Sequence, residues 1–254
     1  MPWDKEIEVA RAAVRAAAEI AREMQPGIVA ETKDDLSPVT MADRECERAI
    51  GFMLRGEFPE DGLMGEEGAA VESRNGRRWI IDPIDGTRDF VRGNPLWANL
   101  LALEIDGEIV AGVVNLPVLN ITCWASKGGG AFRNGQPMRL SDKRTIEESV
   151  VCLSAYDKLA RAPFRGELLD WLARFWAVRG LGGAADAMML CSGQAEVWIE
   201  PDAKPWDFAP LKIIAREAGA AYFDLKGGES IYSGSGIITV PALRDEVARF
   251  LQIP

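Results

Sequence analysis

The sequence predicts a layered α+β fold. Three observations lead there: a long amphipathic helix at the start, β-type runs clustered in the middle, and helices recurring around those runs without strict alternation. Strict alternation would point instead to a doubly wound parallel sheet. At 254 residues the chain is expected to form one domain, in two approximate lobes, 1–140 and 141–254.

From Trp3 to Gln25, Ile7, Ala10, Val14, Ala17, Ala21 and Met24 recur at helical spacing, and Pro26-Gly27 provide the stop. A second helix is expected from Thr40 to about Arg55: the Thr40 hydroxyl can cap it, and Asp43 three residues on completes a capping-box arrangement. Trp79-Ile80-Ile81 reads as a short strand ending at Asp82, because Pro83 has no amide with which to continue the pairing. A short helix is expected after Gly86-Thr87, through Phe90. Ala98 to Ile105 and Glu108 to Leu116 form a hairpin across Asp106-Gly107, a dipeptide suited to tight turns. Further strands are expected at Ile121 to Ala125, Val150 to Leu153, Glu196 to Ile199 and Gly236 to Val240. Ala184 to Cys191, Asp207 to Glu217 and Leu243 to Leu251 read as helices.

Composition excludes several classes of function. A formal charge of −10 with no Lys/Arg block argues against a nucleic-acid partner. An acidic protein that handled a phosphate dianion would need bound divalent cations to reverse the local sign. There is no histidine, which removes Ser-His-Asp triads, phosphohistidine intermediates and imidazole metal ligands. Cys46, Cys123, Cys152 and Cys191 lie far apart, unlike zinc or redox motifs, and read as buried cytosolic thiols. The N-terminus has no basic-then-apolar signal region, and no run approaches the ~18 apolar residues of a membrane span, so a cytoplasmic protein is expected.

Three acidic segments place carboxylates where elements end: Gly65-Glu66-Glu67, Asp82-Pro83-Ile84-Asp85-Gly86-Thr87, and Trp206-Asp207. A strand end and a proline-stiffened turn can aim Asp82 and Asp85 at one point, with the Ile84 carbonyl as a further oxygen ligand, which suits a hard cation. The amides of Gly86 and Thr87, at a helix start, can attract an anion. Each segment also has a plainer reading, Glu66-Glu67 as a solvated acidic turn and Asp207 as a helix cap.

The stretch Trp79 to Phe90, WIIDPIDGTRDF, matches the signature of the inositol monophosphatase superfamily, and KPWDFAP around Asp207 resembles its second signature. The order of motifs resembles that family over nearly the whole chain. The resemblance implies an α-β-α-β-α sandwich, a homodimer, and Mg²⁺-dependent hydrolysis of phosphate monoesters, with Mn²⁺ as a possible substitute and Li⁺ as an inhibitor. It places Glu66, Asp82 and the Ile84 carbonyl on one ion and Asp82, Asp85 and Asp207 on a second. A third would be held largely by Glu66 and waters. Thr87, partnered by Asp43 in the element Ser37-Pro38-Val39-Thr40-Met41-Ala42-Asp43, would orient the attacking water, and the Gly86 and Thr87 amides would bind phosphate. Lys33 corresponds to a mobile-loop lysine near the metals.

For the substrate, Glu200 matches a family position that touches hydroxyl or amino groups, and Gly183 and Ala184 resemble the pocket-lining helix start of inositol phosphatases. Phe90 to Trp97 looks more like the histidinol-phosphate phosphatase branch, while the residues after Gly180 do not. Inositol monophosphate is therefore the leading candidate and histidinol phosphate the alternative. A haloacid dehalogenase reading fails on spacing, since the aspartates are three apart, and Gly128-Gly129-Gly130 lacks the Lys-Ser/Thr of a P-loop. The reading from another class is an inactive metal- or inositol-phosphate-binding module. Trp171, Trp176 and Trp198 are expected in the core or a dimer interface.

Overall fold

The computed structural model describes residues 3–34 and 37–254. The chain opens with α1 (Asp4–Met24), a ribbon of β1 (Glu31–Thr32) and β2 (Pro38–Val39), and α2 (Met41–Glu57). Next come β3 (Gly62–Gly65), β4 (Ala70–Val71), β5 (Arg77–Asp85) and α3 (Thr87–Val91). An antiparallel run follows: β6 (Ala98–Ile105), β7 (Glu108–Leu116), β8 (Ile121–Ser126), β9 (Gly130–Arg133) and β10 (Gln136–Pro137). The remainder holds β11 (Val150–Leu153), α4 (Tyr156–Leu159), α5 (Leu168–Leu172), β12 (Ala177–Arg179), α6 (Gly183–Cys191) and β13 (Val197–Glu200). It closes with α7 (Pro205–Glu217), β14 (Ala221–Phe223), β15 (Gly236–Thr239) and α8 (Arg244–Phe250).

An eight-stranded sheet has the order β10-β9-β8-β7-β6-β5-β3-β4, and a five-stranded one β12-β11-β13-β15-β14. Side chains alternate across each strand, and the cores follow that alternation. Trp79, Ile81, Leu101 and Val113 face Ala13, Val14, Ala17 and Ile50 of α1 and α2. Ile80, Leu100, Ala102 and Val114 face the other way, onto Met188 of α6 and Phe208, Leu211 and Ile214 of α7. Those two helices also meet Trp198 and Ile238 of the smaller sheet. The outer face of that sheet (Val151, Leu153, Val197, Ile237) buries Trp171 of α5 and Val247 of α8. The layers thus run α-β-α-β-α.

Local chemistry accounts for most boundaries. Thr40 caps α2, with Asp43 returning the bond. Asp106 and Gly107 both take positive φ (49° and 84°), as a tight hairpin turn requires. Pro205 is the first residue of α7, so that helix starts two residues before Asp207, which therefore occupies the third position rather than the cap. Trp171 and Trp198 are buried, whereas Trp176 is exposed. The four cysteines are free and buried. No helix among the described residues is long and apolar enough to cross a membrane.

One expectation needs correction. β5 does not end at Asp82 but continues to Asp85 through a bulge. Asp82 pairs with Leu100 and Asp85 with Ala98, so three steps on β5 match two on β6. Pro83 falls inside the bulge, where no amide is demanded of it.

The middle layer is held close by two glycines. A Cβ on Gly112 of β7 would lie 2.6 Å from Ile213 Cγ2 and 2.9 Å from Pro210 Cα, and one on Gly236 of β15 would lie 2.7 Å from the Phe208 ring. Gly112→Val is expected to push α7 off the sheet at a cost of about 2–3 kcal/mol, lowering the thermal midpoint by roughly 5–10 °C. Calorimetry measures it directly, and an unchanged midpoint would show that α7 is not seated by this contact.

Candidate active site

The bulge decides where the β5 carboxylates point. Residues 82 and 85 of a regular strand would face opposite sides, but one inserted residue restores their parity. Asp82 follows Ile80 onto the face that meets α6 and α7, and Asp85 joins it. Asn99 Nδ2 braces the bulge by donating to the Pro83 carbonyl at 2.7 Å. Asp207 arrives from the first turn of α7, where its Oδ2 accepts the Lys204 amide at 2.6 Å. One carboxylate oxygen from each of Asp82, Asp85 and Asp207 lies within 4.8 Å of the others.

Glu66 stands beside this triad. It leaves β3, which runs parallel to β5, and its amide donates to the Ile81 carbonyl at 3.1 Å. Its Oε1 accepts from Lys33 Nζ at 2.9 Å, and the same ammonium reaches Glu67 Oε1 at 2.5 Å. Burial opposes the charge on Lys33, but the bonds to Glu67 and Glu66 outweigh it and hold its pKa above the usual range. Glu66, Asp82, Ile84, Asp85, Gly86, Thr87, Gly183 and Asp207 all line one cavity of about 270 Å³. The starts of α3, α6 and α7 converge there, so three helix dipoles present their positive ends to it.

Thr87 Oγ1 donates to Asp43 Oδ1 at 3.1 Å and lies 3.2 Å from the Ile84 carbonyl. Asp43 Oδ2 accepts the Thr40 hydroxyl at 2.5 Å and the Thr40 amide at 2.8 Å. Capping α2 and holding Thr87 are thus shared between the two oxygens of one carboxylate. Gly86 takes φ 82° as the residue before α3, whose first-turn amides have no preceding turn to bond.

Gly183 and Ala184 sit against Asp85. The Ala184 amide donates to Asp85 Oδ2 at 3.1 Å, and a Cβ on Gly183 would lie 3.1 Å from both Asp85 oxygens. Ala184 therefore positions a carboxylate, and Gly183 leaves the room for it. A second cavity of about 150 Å³, lined by Trp198, Glu200, Ala203 and Leu211, shares Asp85, Gly183 and Asp207 with the first. Burial pushes the Glu200 carboxyl up to about 8, and a neutral carboxyl both donates to and accepts from hydroxyls.

Two contributors escaped the sequence reading. Glu47 of α2 is buried and accepts the Glu67 and Ala69 amides at 2.8 and 2.7 Å. Its signal was its place four residues after Asp43, on the same helix face. Asp186, in the first turn of α6, accepts from Leu181 and Gly182 and so braces the loop that delivers Gly183. An acid in a first turn after paired glycines was the available clue.

A divalent cation fits the triad. Asp82 is 1% exposed, yet its Oδ1 has no hydrogen-bond partner. An orphaned buried carboxylate oxygen among like charges calls for positive charge. Burial first, then Glu66, Asp207 and Asp85, raise the Asp82 pKa well above the carboxylate range. Burial takes Asp85 to about 6, and burial with Asp85 takes Asp207 to about 7. The donor set is all oxygen, as hard cations prefer.

The sign of the linkage follows. With folded pKa values above unfolded ones, the metal-free native state binds more protons than the unfolded chain between about pH 4 and pH 7. In EDTA the thermal midpoint is expected to fall as pH rises through that window. Mg²⁺ added at pH 8 should restore it, by about 2.7 kcal/mol at a concentration 100 times Kd, or a rise of several degrees. A midpoint in EDTA indifferent to pH would show that neither burial nor mutual repulsion raises these carboxyls.

The profile described as the inositol monophosphatase family matches residues 3–252. The histidinol-phosphatase of Chlorobaculum parvum is 40% identical over 208 residues, covering 82% of this chain and 80% of that protein. The fructose-1,6-bisphosphatase/inositol-1-monophosphatase of Thermotoga maritima is 37% identical, covering 83% and 81%. Among solved structures, the extragenic suppressor protein suhB of Bartonella henselae superposes with a TM-score of 0.90 at 28% identity, covering 98% of this chain and 99% of that one.

Proposed function

Since the chain belongs to the inositol monophosphatase family of phosphatases, we propose that it hydrolyses the phosphate monoester of a small hydroxylated metabolite with Mg²⁺ held by its carboxylates. The observation that carries this is the triad of Asp82, Asp85 and Asp207 with a buried, unpartnered Asp82 oxygen. Glu66, Asp82 and the Ile84 carbonyl would hold one ion, and Asp82, Asp85 and Asp207 a second, with a third largely on Glu66. These residues would hold cations that supply the positive charge a phosphate dianion needs and the acidity that activates water.

The protein's own groups do the rest. Thr87 Oγ1, donating to Asp43, keeps its lone pairs for the attacking water and orients it in line. The Gly86 and Thr87 amides receive phosphate oxygens at the α3 start. Lys33 adds positive charge at the Glu66 side. Glu200, in the adjoining cavity, meets the alcohol half, and its neutral carboxyl suits the hydroxyls of inositol monophosphate. A second reading, histidinol phosphate, is favoured by the segment Gly93 to Trp97 and by the C. parvum relative. The exposed side chains of Leu119 and Leu181, lining one apolar groove with Leu96 and Met189, would suit the contact of a homodimer.

The test is phosphate release from myo-inositol 1-phosphate, histidinol phosphate, fructose 1,6-bisphosphate and 3'-phosphoadenosine 5'-phosphate, with Mg²⁺ or with EDTA. Turnover of one of these that EDTA abolishes is expected. Release of none, in protein shown by calorimetry to bind Mg²⁺, would favour a binding module that has lost activity.

A further inference from the structure

α2 reaches the site twice, one helical turn apart. Asp43 holds Thr87, and Glu47, four residues on, holds the turn that carries Glu66. The Glu47 carboxylate is buried and bonds the amides of Glu67 and Ala69, one with each oxygen. Gly65 completes the fit, since a Cβ there would overlap the Glu47 carboxylate and lie 2.9 Å from the Ala69 Cβ. The Gly65 amide in turn donates to the Ala69 carbonyl at 2.7 Å, closing a loop whose second residue is Glu66.

We propose that Glu47 is a positioning residue for Glu66: it fixes the turn 65–69 so that the Glu66 carboxylate stays beside Asp82, and thereby sets the affinity of the site for its cation. The proposal rests on the reading of Glu66 as a cation ligand. Glu47 itself is not among the residues that line the cavity, and its two oxygens are taken up by the two amides. A carboxylate is required because both bonds are received from N–H donors. Glutamine is isosteric but turns an NH₂ group toward one of the amides, which loses its acceptor and releases that side of the turn.

The test uses the full chain stripped with EDTA. Calorimetric titration with Mg²⁺ is carried out on wild type, Glu47→Gln, Glu66→Gln and the double variant, with hydrogen exchange followed over residues 62–70. Glu47→Gln is expected to speed exchange at Glu67 and Ala69 and to weaken Mg²⁺ binding roughly tenfold or more. The double variant should be no weaker than Glu66→Gln, because both changes act through one ligand. Gly65→Ala, which displaces the carboxylate while leaving Glu47 in place, should reproduce the loss and serves if Glu47→Gln does not fold. Wild-type affinity in Glu47→Gln with a weakened Glu66→Gln would overturn the positioning role alone, as would losses that add in the double variant. Wild-type affinity in Glu66→Gln would overturn the ligand reading and the positioning role with it.

Discussion

Asp85→Asn is expected to cut Mg²⁺-dependent phosphate release by about 10³-fold or more while leaving the fold intact. Asparagine keeps the volume of aspartate and can still accept the Ala184 amide, now held at 3.1 Å by Asp85 Oδ2, so α6 stays docked. Its other atom, however, is an NH₂ group turned toward the space where Asp82 and Asp207 converge. That exchanges an anionic ligand for a donor and repels a cation. The same change removes one of three like charges, so in EDTA at pH 8 the variant should melt slightly above wild type. Activity and metal-free stability thus move in opposite directions, which a general folding defect cannot mimic. Parallel phosphate-release and melting measurements give both readings, and full turnover in the variant would sink the assignment of Asp85 to the cation.

The site was legible to the extent that its chemistry lies in short segments. Asp82, Asp85 and Asp207 could be named from the sequence because each falls in a short segment where an element was expected to end or start, Asp82-Pro83-Ile84-Asp85-Gly86-Thr87 in one case and Trp206-Asp207 in the other. That Asp82 and Asp85 meet at one point was expected from the turn between them, but the bulge that brings this about was not, because only pairing with β6 defines it, and the arrival of Asp207 was implied by the family resemblance alone. The same bulge explains why β5 was read as ending at Asp82. A proline signals that an amide is missing, but not whether the partner strand needs it. The hairpin at Asp106-Gly107 and the Thr40 cap were readable because turn and cap chemistry are local. β3 was not, since Gly-Leu-Met-Gly has little strand propensity and is held as a strand by parallel pairing with β5. Glu47 was hidden for a related reason: between Glu45 and Arg48 it reads as part of a solvated helix face, and its burial is a tertiary fact.

Thr87→Val is expected to lower kcat by about 10²–10⁴-fold with little change in Mg²⁺ affinity, while Thr87→Ser stays within about tenfold of wild type. Valine fills the buried space of threonine but has no hydroxyl to donate to Asp43 or to receive the water. The proposed cation ligands are untouched, because the Ile84 carbonyl then loses only the longer of the two contacts that the hydroxyl makes. Asp43→Asn attacks the same relay from the other end. The Asp43 side chain receives the Thr40 amide and hydroxyl on Oδ2 and Thr87 on Oδ1, so three donors face it. An asparagine that keeps its carbonyl toward Thr40 must present NH₂ to Thr87, reversing that bond and turning the Thr87 hydrogen toward Ile84. The hydroxyl survives but the new NH₂ group occupies one of its two lone pairs, so a kcat loss smaller than that of Thr87→Val is expected. Adding Asp43→Asn to Thr87→Val should then change little, since the relay is already broken. Steady-state kinetics on the four variants, with Mg²⁺ affinity measured calorimetrically, separate this from a metal defect. A Thr87→Val enzyme with undiminished kcat would place the orientation of the water on some other group.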